Sequence, residues 1–215
     1  MALYEFCAEN FTDIPKAIQA GAHRIELCDH LAVGGTTPSL GVIYETLNYT
    51  HDHDVPVMVM IRPRGGDFHY NDIELKIMEY DILQAKQLGA DGVVFGALTE
   101  DKTLDHEAMS ILLDAAQGMQ VTFHMAFDHI VSFPKQLEAL DWLAAHHVTR
   151  ILTHGSLAGT PIEQNIPTLL SLKEYAQDKI QLLIGGGVTY KNAVMLEKQT
   201  GIHELHGTKI VPITK

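Results

Sequence analysis

The chain has 215 residues, 46% hydrophobic and 20% charged, which is ordinary globular usage and length enough to bury a core without a disulfide or structural metal. Lys and Arg number 15 against 27 Asp and Glu, a formal net charge of −12. That excludes the basic footprint of a general nucleic-acid binder and docking on anionic lipid. No apolar run approaches the roughly 20 residues of a membrane span. The start, MALYEFCAEN, shows no basic and then apolar leader. The expectation is a cytoplasmic protein whose two cysteines, Cys7 and Cys28, stay reduced.

Short apolar runs fall at 3–7, 24–28, 55–61, 92–95, 120–124, 150–153, 181–184 and 203–206. Amphipathic stretches at 13–20, 40–49, 72–88, 105–116, 133–145, 165–176 and 191–200 follow the first seven in turn. Asp13, Asp72 and Asp105 stand where N-caps belong. Gly21, Gly89 and Gly201 stand just past helix ends, where a left-handed residue closes the last turn. Strands joined by helical crossovers pair in parallel. An open doubly wound sheet and a closed (β/α)8 barrel both fit that pattern, and eight strands favour the barrel. No linker divides the chain, so 1–215 reads as a single α/β domain. Only 207–215 follow the eighth strand, so the last helix is predicted missing or shortened. The apolar flank this leaves would suit a homo-oligomer contact.

Period-two alternation predicts what points into the barrel. In the first strand Tyr4 and Phe6 face the helix layer, which puts Glu5 and Cys7 inside. In the second, Ile25 and Leu27 pack outward and Glu26 and Cys28 point inward. By the same rule Arg62 ends the third strand inward and His124 ends the fifth. These six converge on the C-terminal mouth, where barrel enzymes place their sites. Buried carboxylates need partners, and Arg62 and His124 are the expected ones. Two thiolates on neighbouring strands can share a soft ion, or they can be core residues. Met58 and Met60 read as core packing, and the His51–Asp54 tract, at the opposite end of the barrel, reads as a solvated loop.

Glycine-rich segments follow several strands: Gly34–Gly35, Gly65–Gly66, Gly185–Gly187 and Gly207. They either make tight turns or bring backbone N–H groups up to an anion. Gly186, Gly187 and Gly207, in the loops after the last two strands, are candidate anion binders, a common barrel device. Arg62 and Arg64 would clamp a phosphate or carboxylate. His124 is a candidate general base or copper ligand oriented by Asp128. With Glu5 and Glu26 these residues make one functional reading, Glu/His acid–base chemistry on a small anionic substrate. Lys209 is the one lysine near a Schiff-base position at a strand end.

The segments Arg24-Ile25-Glu26-Leu27-Cys28, Gly34-Gly35-Thr36-Thr37-Pro38-Ser39, Arg62-Pro63-Arg64-Gly65-Gly66-Asp67-Phe68, Phe95-Gly96-Ala97-Leu98-Thr99 and Val121-Thr122-Phe123-His124 together resemble the CutC copper-homeostasis family. The resemblance runs over nearly the whole chain. It implies a TIM-type barrel, a cytoplasmic location, and copper tolerance or Cu(I) handling with Cys7 and Cys28 as ligands. The chain departs from the family pattern at Met125, at His154 and at Gly207-Thr208-Lys209.

Overall fold

A computed structural model describes residues 2–157 and 159–213. Eight strands alternate with helices: β1 (Leu3–Glu9), α1 (Ile14–Gln19), β2 (Arg24–Cys28), α2 (Leu40–His51), β3 (Val57–Met60), α3 (Asp72–Gln87), β4 (Gly92–Phe95), α4 (His106–Ala115), β5 (Gln120–Phe123), α5 (Phe133–Ala145), β6 (Arg150–Thr153), α6 (Ile166–Ala176), β7 (Gln181–Ile184), α7 (Ala193–Thr200) and β8 (Glu204–Gly207). Each strand pairs in parallel with its neighbour in sequence, and β8 closes on β1 with Leu3 opposite Glu204 and Phe6 opposite Gly207. That closure rules out the open doubly wound sheet and establishes the (β/α)8 TIM-type barrel.

Alternation sorts the side chains as the pattern requires. Phe6, Ile25, Leu27, Val57, Val59 and Phe95 pack between barrel and helices, while Cys7, Cys28, Met58, Met60 and Val94 form a separate apolar cluster inside the barrel. β1 runs past its predicted end to Glu9, because Ala8 and Glu9 still pair with Leu27 and Cys28 of β2. α3 is capped by Asn71, not by Asp72. The Asn71 side chain accepts from the amides of Ile73 and Glu74, and Glu74 accepts from the Asn71 amide, so Asp72 falls inside the first turn. Asp105 caps α4 by accepting from the Ala108 amide, whereas Asp13 makes no side-chain cap.

Among the described residues no helix follows β8. The chain turns back instead: Lys209 bridges to Thr189, and Ile210 and Val211 are buried in the core. The flank expected to lie open is thus partly filled by the tail itself, of which Thr214 and Lys215 lie outside the described residues. Large exposed apolar side chains gather elsewhere, on α2 (Leu40, Tyr44) and α3 (Ile73, Ile77, Tyr80, Leu83). No helix among the described residues is long and apolar enough to cross a membrane.

Candidate functional site at the barrel mouth

Inward-facing polar residues of β1, β2 and β8 form a continuous ladder. At its foot Arg24 donates to Glu204, at 2.5 Å, and to Glu5. Glu5 is also bonded to His206 Nδ1 at 2.8 Å. His206 Nε2 lies 3.6 Å from Glu26 Oε2. That same carboxylate oxygen lies 3.2 Å from the Cys7 sulfur and 3.5 Å from the Cys28 sulfur. Register explains the convergence. Glu5 stands opposite both Arg24 and His206, and Cys7 stands opposite Glu26, with Cys28 two residues further along the same face. Ligand atoms of Cys7, Glu26 and His206 lie within 4.8 Å of one another, close enough to hold one ion.

Burial and pairing push these groups apart. Burial would raise the Glu5 carboxyl, but the charge of Arg24 and the His206 hydrogen bond outweigh it and bring Glu5 down to about 2. Burial carries Glu26 well above the carboxylate range, outweighing the charge of His206, which lowers it, and Cys7 and Glu5 nearby add to the rise. Hydrogen bonding from Cys28 holds the Cys7 thiol well below its ordinary value against burial, with His206 assisting. The same contact, with burial, pushes Cys28 up. Burial works against charge on His206, yet Glu26, Cys7 and Glu5 around it raise it well above 6.5. The arrangement favours a thiolate at Cys7 beside an imidazolium at His206, the electrostatics of a metal-binding or reactive thiol.

Above the ladder opens a cavity of about 660 Å³. Cys7, Glu26 and His206 belong to its wall, together with Arg62, His124, Asp128, Gly186, Gly187, Gly207 and Lys209. Glu5 and Cys28 do not line it. Cys28 is closed over by the loop after β2, where a Cβ on Gly35 would come 3.2 Å from its sulfur. Glu5 is sealed beneath His206, which removes it as a general base for a molecule in the cavity.

Other expected partnerships are corrected. Arg62 pairs with neither Glu5 nor Glu26, because its guanidinium donates to the carbonyls of Val33, Gly35 and Gly66 at 2.8–3.1 Å. Arg64 lies outside the cavity and turns to Glu74 at 2.5 Å and Asp67 at 3.1 Å. The two arginines therefore do not clamp one anion; they staple the loops after β2 and β3. Asp128 does not orient His124. Its carboxylate accepts from Thr153 Oγ1 and from the amides of His154 and Gly155, and burial raises it to about 6 against those bonds. His124 Nδ1 accepts from the Ala126 amide, its ring packs 4.9 Å from Phe68, and burial, with the charge of Arg62, lowers it to about 3. The His51–Asp54 tract is exposed, with His51 bonded to Asp91 and His53 to the Tyr49 carbonyl.

Three central residues escaped the sequence reading: Arg24, His206 and Glu204. Each sits in the inward phase of its strand, so the rule that found Glu26 would have found Arg24, and applied to β8 it would have found the other two.

Comparison with known proteins places this architecture. The CutC family model matches residues 2–211. A family protein CutC from Enterococcus faecalis is 59% identical over 207 residues, covering 96% of this chain and 99% of that one. The human protein named copper homeostasis protein cutC homolog is 41% identical, covering 95% of this chain and 72% of its own length. A crystal structure of a CutC protein from Streptococcus agalactiae superposes with a TM-score of 0.95 at 51% identity, covering 98% of this chain and all of that one. A deoxyribose phosphate aldolase from Aeropyrum pernix, with a TM-score of 0.68 at 12% identity and covering 98% of this chain and 86% of that one, shares the fold alone.

Proposed function

Because the chain belongs to the CutC family, we propose that it binds Cu(I) in a reducing cytoplasm through the thiols of Cys7 and Cys28, with His206 as a further donor. The observation that carries this reading is the approach of both sulfurs to one oxygen of Glu26, at 3.2 and 3.5 Å, at the head of a buried ladder. The donor set fits the ion. Cu(I) is soft, and thiolates with imidazole suit it better than they suit hard cations, which want oxygen. Ligands must lose their protons: the imidazolium of His206, fixed by Glu5, favours the thiolate at Cys7, and His206 itself becomes a donor by releasing the Nε2 proton as the ion binds. Cys7 lines the cavity and Cys28 does not, so an arriving ion meets Cys7 first and Cys28 second.

Anaerobic Cu(I) competition titration of the reduced protein tests the reading, run beside the Cys7→Ser, Cys28→Ser double variant. Stoichiometric tight binding in the wild type and its loss in the variant are expected. A variant that keeps wild-type affinity while remaining folded discards the assignment.

A further inference from the structure

A single ion fills only a small part of the mouth. The cavity measures about 660 Å³, whereas a water molecule takes about 30 Å³ and small-molecule sites run to roughly 300–1,000 Å³. One part of its wall is apolar, with Val33, Met60, Phe68, Leu152 and Val188. Its permanent cations are Arg62 and Lys209. In a chain of net charge −12 they stand at a concave surface, where positive charge concentrates anions.

The loops after β7 and β8 supply donors at the rim. Gly186 and Gly187 adopt φ of +74° and +91°, a conformation that L side chains rarely take. A Cβ on Gly186 would also strike His154, 2.7 Å away. Among the described residues the amides of Gly186, Gly187 and Val188 reach no acceptor. Lys209 is tied to this loop through its backbone, whose carbonyl accepts from Tyr190 at 2.8 Å, and its exposed side chain borders the cavity. Elsewhere in the wall, Glu26 Oε1 and His124 Nε2 are buried without a hydrogen-bond partner, which is costly unless something else meets them.

We infer that the cavity binds a small organic phosphate monoester, its phosphate against Gly186–Val188 and Lys209, and its short carbon skeleton along the apolar wall. Three successive amides and an ammonium match the three terminal oxygens of a phosphate monoester, whose charge of about −1.5 to −2 also exceeds that of a carboxylate. A hydroxyl or carbonyl at the far end of the skeleton would approach the side chains of Glu26 and His124, which line the cavity. This site goes beyond copper binding and does not require it.

Isothermal titration of the metal-free protein with glycerol 3-phosphate, inorganic phosphate and glycerol tests the inference, with Lys209→Glu and Lys209→Met as variants. Saturable one-site binding of glycerol 3-phosphate is expected, tighter than inorganic phosphate, with no binding of glycerol. Both variants should weaken phosphate binding by about tenfold or more, the worth of a charge-assisted hydrogen bond. Three results would overturn it: no saturable binding of either phosphate at millimolar concentration, equal affinity for the two, or wild-type affinity in both variants. Cu(I) titration of the same variants keeps the two ideas apart, since Lys209 is no part of the thiol site and their copper affinity should stay at the wild-type level.

Discussion

The barrel interior and its mouth use the same residue types to opposite ends. Inside, Arg24 meets the carboxylates of Glu5 and Glu204, and His206, ringed by Glu5, Glu26 and Cys7, holds its proton. At the mouth, Arg62 gives its hydrogen bonds to loop carbonyls, and His124, buried beside that uncompensated charge, stays neutral. The difference lies in what each strand end faces. Strand interiors face the side chains of other strands, so charge is matched by charge. Strand ends face loops, and here the carbonyls of Val33, Gly35 and Gly66 take the Arg62 guanidinium, so that arginine orders backbone. Function follows the same division: the interior tunes Cys7 from below, while the mouth shapes the space above it.

The sharpest way to break the interior half is Arg24→Met. Removing one partner of a buried ion pair strands the other, at a typical cost of about 3–5 kcal/mol. Glu5 keeps His206 but loses its fully charged neighbour, so the carboxyl that now sits near 2 should rise, and the charge on His206 should fall with it. Urea denaturation at neutral pH checks the first expectation. A loss under about 1 kcal/mol would mean that Arg24 and Glu5 contribute no more than a surface pair.

The two histidines offer a test through pH. His124 titrates at about 3 in the folded chain, against 6.5 ordinarily. Protonation therefore favours the unfolded chain: the stabilisation from neutral His124 is full above pH 6.5 and is lost as pH falls toward 3. His124→Asn keeps a side-chain oxygen to accept from the Ala126 amide and removes the titration. Between about pH 7 and about pH 4.5 the wild type should lose about 2–3 kcal/mol more than the variant. Urea midpoints at the two pH values measure this, and parallel losses would show that His124 is solvated in the folded state.

Period-two alternation alone placed Glu5, Cys7, Glu26, Cys28, Arg62 and His124 on the inner face of their strands, and counting strands favoured closure. What alternation cannot give is partner choice. Arg62 and Glu26 both point inward, but whether they meet depends on which strands lie opposite. The closure of β8 onto β1 supplies His206 and the register of β2 supplies Arg24, so Arg62 is not needed. The conformation of the loop after β2, with Gly34 and Gly35 at positive φ, decides that carbonyls reach Arg62 first. That is a tertiary outcome with no periodicity to read.

Arg64 gives the smallest effect and the cleanest contrast with Arg24. Both bind two carboxylates, but the Arg64 side chain is 37% exposed where that of Arg24 is 3%. Water screens the outer pairs, and the capping box at Asn71 holds Glu74 in place without the arginine. Arg64→Ala should therefore cost about 0.2–1 kcal/mol, and less at high salt. It should leave Cu(I) affinity unchanged, because no contact joins it to the Cys7 ladder. A larger loss, or one insensitive to salt, would mean that the Pro63–Asp67 loop carries strain that the Arg64 bonds to the carbonyls of Gly65 and His69 restrain. The mouth would then depend on its arginines as heavily as the interior does.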